Sequence, residues 1–345
     1  MKVSIIVTAY NKEKFIKKCL ESVISQDCDN WELIITEDKS TDRTKEIIEE
    51  YIKDSLYRDK IKFISNTENK GVSESRNIAL QYVNGDFVTF VDGDDCLEPF
   101  AISTLINCYN KTHADLVIGE FTNIDEKSGK RDVRAIFDKS LTITHNAMQK
   151  MTEKTFFNKS LHGQRPVSIC AKIFKTDIIK NNNIAFTPKV KDFEDMYFNL
   201  EYYQYINSVS YVNKSIYDRL WNSESMVNQF RPNIYKEMNL SLKEYAKLRD
   251  KYDYNPEYEK YLAFHMITIL LRNGIENNKD PKMSLKEKVN KFYRFIDREP
   301  LKDMWNYFTA SDEDTFGTKS KVWAVKHRKL YEYYKLKNIA KRQKI

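Results

Sequence analysis

DFVTFVDGDDCLEPF, residues 86–100, is the stretch on which the reading of this chain turns. An apolar run reaches Asp92 and then meets a glycine and two more acids. Asp92, Asp94 and Asp95 crowd like charges into four residues, and such charges repel unless water or a cation screens them. Two readings follow. An Asp-Gly-Asp after a strand is, taken alone, more often a solvated turn; the other reading is a seat for a divalent cation. The glycine and terminal glutamate of an EF-hand loop are missing at their offsets, so that class is excluded. Hard Mg2+ or Mn2+ takes a few carboxylates and completes its shell with substrate phosphates, as a diphosphate-bearing ligand would allow.

Outward from that stretch, short apolar runs alternate with helical spacing. VSIIVTAY opens as a buried strand, and from Glu13 to Gln26 the residues Phe15, Ile16, Cys19, Leu20, Val23 and Ile24 recur as one helix face. WELIIT, IKFIS, DFVTFVD and DLVIGEF read as further strands, with helices over Thr41–Lys53, Ser73–Tyr82 and Pro99–Lys111 between them. Such alternation predicts an α/β fold with a mostly parallel sheet, because each crossover must return over the sheet. Ligands bind such sheets at the carboxyl ends of the strands, here Thr8–Asn11, Glu37–Ser40 and Asp92–Asp95. The pattern loosens over Asn123–Leu161 and resumes with SICAKIFKTDIIKNN, a helical EDMYFNLEYYQY and two strand-like runs in SVSYVNKSIYDRLW. From about Pro232 it is helical: Ile234–Tyr252, Pro256–Glu276, Ser284–Ile296, Lys302–Tyr307 and Lys319–Arg342. A boundary near Phe230 divides an α/β domain, 1–230, from a helical extension, 231–345.

The 345 residues, 41% apolar and 31% charged, can build a packed core and argue against disorder. No apolar run is long enough to span a bilayer, and MKVSIIVTAYNKEKF reads as a first strand and not as a signal peptide. Five cysteines without a C-x-x-C speak against a disulfide framework or zinc site, so a cytoplasmic setting is expected. The net charge of +7 is uneven: residues 319–345 hold ten Lys and Arg against Glu332, a local +9, leaving −2 elsewhere. The basicity belongs to a tail, and no nucleic-acid-reading motif accompanies it.

VSIIVTAYNKEKFIKKCLESVISQ, LIITEDKSTDRT, NKGVSESRNIAL and FVTFVDGDD occur in the order and spacing of glycosyltransferase family 2. The chain resembles proteins of that family with the GT-A fold, a Rossmann-like sheet flanked by helices, over about its first 120 residues. FEDMYFNLEYY, Phe193–Tyr203, is similar to the family's acidic motif. The relatives in view are bacterial transferases that decorate capsule, lipopolysaccharide or wall teichoic acid.

The resemblance implies a nucleotide-sugar donor, usually a UDP-sugar, with Mn2+ or Mg2+. It puts Thr8, Tyr10 and Asn11 against the nucleoside and Asp38 on the uracil edge. Where the family has Asp-Asp-Gly-Ser, this chain has Glu37, Asp38, Lys39 and Ser40. Asp42 competes with Asp38 as an ordinary helix cap. Gly71 marks a left-handed turn, and Arg76 reaches phosphate or ribose. Asp92 stands near ribose and metal-bound water, Asp94 is the direct metal ligand, and Asp95 is a supporting or acceptor-side acid. Asp195 is the general base of an inverting transfer, with Glu194 orienting it; the alternative for this pair is a helix start that favours acids. Arg219 and Ser225 close over the diphosphate, and the segment His162–Arg165 lies on the acceptor side.

The expected activity is transfer of a sugar to a hydroxyl of a surface glycan, teichoic acid or lipid-linked precursor. Gln-x-x-Arg-Trp, the processive signature, is absent. A dinucleotide enzyme is disfavoured, since neither Gly-x-Gly-x-x-Gly nor a Walker loop occurs. The other class is a catalytically silent glycan- or membrane-binding protein. For the tail, residues 319–345, three uses stay open beside a plain solvated helix face: an anionic membrane surface, an anionic polymer, or a homo-oligomer contact.

Overall fold

β1 (Val3–Ala9) is buried at every position, as a strand covered on both faces must be. It lies in a computed structural model that describes residues 1–133, 135, 137, 139–144, 168–221, 230–251, 256–298, 302, 308–310 and 315–342. The chain divides into two units, Met1–Asn222 with Lys243–Asp253, and Ser223–Leu242 with Tyr254–Ile345.

In the first unit β1 pairs in parallel with β2 (Trp31–Glu37) and β4 (Phe87–Asp92), and β2 with β3 (Ile61–Ser65). The crossovers are α1 (Ile16–Ile24), α2 (Thr44–Asp54) and α3 (Val72–Leu80). α1 buries Ile16, Cys19, Leu20 and Val23, the stripe its spacing predicts. After β4 come the short β5 (Cys96–Leu97), α4 (Ala101–Thr112) and β6 (Leu116–Asp125). The small β7 (Arg131–Val133) and β8 (Leu141–Thr144) add to β6 and to the last strand.

Beyond β4 the alternation rule stops working. β6 does not pair with β4; β9 (Lys172–Lys175) slots between them, antiparallel to both. The element that fills this slot is far along the chain, so local patterning does not reveal it. α5 (Thr176–Asn181) and α6 (Glu194–Tyr203) follow. The two strand-like runs expected after α6 form one strand, β10 (Ser208–Trp221), parallel to β6. Its register slips between Tyr211 and Ser215 and again before Tyr217, where Asn213 and Lys214 are exposed. That bulge is the interruption read in the sequence.

α6 is anchored under the sheet by aromatic packing. Phe198 stacks on Phe186 with centroids 4.2 Å apart, and Phe90 and Phe174 meet it edge-on at 5.7 and 5.6 Å. Each such burial contributes about 1.5–3 kcal/mol.

The second unit is helical. α7 (Ile234–Lys251) starts in it and ends in the first. α8 (Pro256–Leu271) runs on into a π-helical turn, Arg272–Glu276, and α9 (Leu285–Ile296) opens with a capping box of Ser284 and Glu287. The single helix expected over Lys319–Arg342 is two, α10 (Phe316–Lys326) and α11 (Leu330–Arg342). Arg328 between them has φ 57°, a left-handed backbone that ends a helix. Of the helix expected over 302–307 only Lys302 is described. No helix among the described residues is long and apolar enough to cross a membrane. All five cysteines are free thiols.

Candidate active site

The carboxyl ends of β1, β2 and β4 lie side by side, with Thr8 in register with Thr36 and with Asp92. The Gly93 amide donates to the Thr8 carbonyl at 3.0 Å. A Cβ on Gly93 would stand 2.9 Å from that oxygen, so only glycine lets the chain turn so close to β1. The residue between the two acids is thus dictated by backbone packing.

Arg76 on α3 is 3% exposed and joins the two acid motifs. Its Nη1 donates to Asp195 Oδ1 at 2.8 Å and its Nη2 to Asp92 Oδ1 at 2.9 Å. Glu194 Oε1 lies 3.6 Å from Nη1, and the Phe186 ring sits 5.2 Å from the guanidinium carbon. Burial works against the charged guanidinium, but Asp195, Asp92 and Glu194 outweigh it and raise its pKa. Arg76 is therefore committed to carboxylates as the structure stands. Burial raises Glu194, and Asp195 adds to the rise. Burial also raises Asp195, with Arg76 opposing. Asp195 has the closer guanidinium contact, 2.8 against 3.6 Å, so of the two it ionises the more readily.

The other acids of the crowded turn have separate partners. Asp94 Oδ2 takes the Lys12 ammonium at 2.5 Å. Asp95 is buried; its Oδ2 accepts from the Tyr217 hydroxyl at 2.8 Å and its Oδ1 from the Leu220 amide at 2.8 Å. Burial raises Asp95, with Asp92 and Asp94 adding to the rise. The Tyr217 hydroxyl also accepts from the Asp92 amide at 3.2 Å. Asp95 thus ties β10 to the turn after β4.

Asp92, Asp95 and Cys170 offer ligand atoms within 4.8 Å of one another. Burial pushes the Cys170 thiol well up, so it stays protonated and suits a hard cation poorly. Both Asp95 oxygens are already taken. Asp92 and Asp94 are half-buried carboxylates of the type a hard cation takes, and Asp94 stands paired with Lys12.

The nucleoside-side residues are placed as follows. Thr8 is buried at the end of β1, and Tyr10 is 43% exposed. Asn11, at φ 52°, accepts from the Thr41 amide at 2.8 Å and so clasps the loop after β2. Asp38 accepts from Asn66 Nδ2 and from the amides of Lys70 and Gly71, each at 2.8 Å. It organises the turn into α3, where Gly71 has φ 86°. The helix start at Thr44 is served by Asp42 at 3.0 Å, not by Asp38. Arg219 lies on β10 with its guanidinium carbon 5.9 Å from the Phe121 ring. Ser225 and His162–Arg165 lie outside the described residues.

Sequence reasoning missed the segment around β9. The Ile169 amide donates to Asp195 Oδ2 at 3.4 Å, and Cys170 Sγ to Asp92 Oδ2 at 3.9 Å. Lys172 is fully buried; its Nζ donates to Asn199 Oδ1 at 2.9 Å and to the Tyr203 hydroxyl at 3.2 Å. Asn199 in turn donates to the Asp195 carbonyl at 2.7 Å. Burial pulls Lys172 down to about 7, with Asp195 opposing. A lysine inside the apolar run ICAKIF was the available signal, since lysine is almost never fully buried without a partner.

Sheet order and strand-end acids define a protein of the GT-A fold. A crystal structure of Staphylococcus aureus TarS 1-349 in complex with UDP shares it, with TM-score 0.62 at 23% identity over 100% of this chain and 92% of that one. Residues 4–174 match the model of glycosyl transferase family 2. The teichoic acid poly(glycerol phosphate) polymerase of Staphylococcus epidermidis is 34% identical over 60% of this chain and 26% of its own length. The poly(ribitol-phosphate) beta-N-acetylglucosaminyltransferase TarS of Staphylococcus aureus is 28% identical over 63% of this chain and 35% of its own. The chain therefore spans well under half the length of these curated relatives.

Proposed function

We propose that this chain is an inverting, divalent-metal-dependent glycosyltransferase that moves a sugar from a UDP-sugar to a hydroxyl of a teichoic acid, surface glycan or lipid-linked precursor. The observation that carries the reading is Arg76, a buried cation holding Asp92 and Asp195 on its two terminal nitrogens. A lone surface turn has no use for such an arrangement. The activities by which the relatives are named, on poly(glycerol phosphate) and poly(ribitol phosphate), support a phosphodiester-linked acceptor.

In this reading Asp195 accepts the proton of the acceptor hydroxyl as that oxygen bonds to the anomeric carbon. The bond from that carbon to the diphosphate oxygen breaks on the opposite side, and the electron pair leaves with UDP. One displacement inverts the centre. Glu194, raised by burial, holds its own proton more firmly, and Arg76 holds Asp195 ionised and aimed. Asp92 and Asp94 would hold Mn2+ or Mg2+, which would supply positive charge against the leaving diphosphate. Asp38, fixed by three donors, keeps one lone pair for the uracil N–H. Tyr10 offers its exposed ring, and Thr8 and Asn11 shape the floor beside it. Arg219 and Ser225 serve the diphosphate. The enzyme works in the cytoplasm, peripheral to the membrane where exposed Trp323 and Leu336 join the basic tail.

The test is UDP release from a panel of UDP-sugars, with and without Mn2+ and a poly(glycerol phosphate) or poly(ribitol phosphate) acceptor. Metal-dependent release, increased by acceptor, is expected. Silence across the panel would instead favour a glycan- or membrane-binding protein that keeps the fold.

A further inference from the structure

α9 turns one stripe of side chains toward a groove of about 470 Å³ within the second unit. The stripe is Glu287, Lys291 and Arg294, at the three- and four-residue spacing that shares a helix face, and Arg298, two residues past the end of the helix, lines the same groove. Tyr235 and Phe295 form the wall, their rings 5.2 Å apart, and Lys291 Nζ lies 4.9 Å from the centre of the Tyr235 ring. Among the described residues none of the three cations has a carboxylate partner. The one acid in the groove is already engaged, since Glu287 accepts from the Ser284 amide and hydroxyl at 2.7 Å. Three cations against the single carboxylate of Glu287 leave the groove net positive and complementary to an anion, and aromatic walls suit the carbon skeleton between charges.

We infer that this groove docks the phosphodiester backbone of a polyanionic polyol acceptor. Lys291 and Arg294 stand about one turn apart on α9 and Arg298 follows two residues past its end, so the three cations are spread along the groove and not gathered at one point. A membrane surface fits this groove less well. The apolar wall is recessed, with Phe295 buried, whereas the protruding apolar side chains Phe316, Trp323 and Leu336 stand on α10 and α11. The inference rests on the acceptor reading above and names where in the chain such an acceptor is gripped.

The test uses the full chain carrying K291E, R294E and R298E together, with K291Q, R294Q and R298Q as a milder set should the first fail to fold. Binding of poly(glycerol phosphate) is measured by calorimetry, beside UDP-sugar hydrolysis without acceptor and flotation with phosphatidylglycerol vesicles. The polymer affinity of the variants is expected to fall about tenfold or more, and that of the wild type to weaken with salt, while acceptor-free hydrolysis is unchanged. Equal polymer binding by wild type and variants overturns the inference and leaves the glycosyltransferase reading standing. Loss of vesicle binding with polymer binding intact overturns it in favour of a bilayer contact. A wild type that binds no polymer overturns both this inference and the acceptor reading.

Discussion

Arg76 is the single side chain on which the candidate site depends most. Removing it would strand Asp92, Asp195 and Glu194 around a buried gap. Arg76→Met is expected to lower unfolding stability by about 3–5 kcal/mol, the cost of breaking a buried ion network from one side. Urea titration checks this, and an unchanged midpoint would refute the bridging role. Asp195→Asn is expected to leave UDP binding unchanged by calorimetry and to cut turnover by about 10²–10⁴, the contribution of a positioned base. Near-normal turnover would remove Asp195 from the mechanism. The pH dependence has a definite sign. Asp195 must be ionised to accept a proton, and burial raises its pKa, so activity is lost as pH falls through that raised value. Arg76 and Lys172 both oppose the rise. Lys172→Met therefore should move the acidic limb of the rate profile to higher pH, and a limb that stays put would show that the lysine does not reach the base electrostatically.

Two strands that the sequence placed poorly do much of the positioning. β9 inserts antiparallel between β4 and β6, and the residues leading into it touch Asp92 and Asp195 together. β10 brings Tyr217 and the Leu220 amide to Asp95. Tyr217→Phe keeps the ring and deletes one donor to a buried carboxylate, so a loss of about 1–3 kcal/mol is expected. Thermal unfolding measures it; a variant as stable as the parent would mean that water replaces the hydroxyl. The strands β1 to β4 and their crossovers were legible because each carries its own apolar period. β9 and the bulged β10 were not, because their pairing is set by partners distant in the chain and not by their own spacing.

At the scale of the molecule, the tail is part of a fold as well as a source of charge. Val322, Val325, Leu330 and Tyr334 are buried, and Glu276 pairs with Lys321 at 2.9 Å and Lys337 at 3.4 Å. Deleting everything after Gly317 would remove these buried side chains, each worth about 1.5–3 kcal/mol, and bare the surface they cover, so that truncation would destabilise the second unit and report nothing about membranes. Trp323→Ser with Leu336→Ser is the cleaner probe, since both side chains are exposed. Stability should be kept and binding to phosphatidylglycerol vesicles lost. Retained vesicle binding would take the tail off the membrane.

Read alone, the residues determined the alternating α/β start, the acids that end β4, the glycine among them and the helical, basic end of the chain. These features are local: a period, a turn or a charge count needs no partner to be recognised. Tertiary structure alone decided that one buried arginine would hold Asp92 and Asp195 together, that Lys172 would lie beneath the second of them, and that Asp38 would organise a turn. Such contacts join segments far apart in the chain, and the energies that select them arise only once the sheet has closed and water has been excluded.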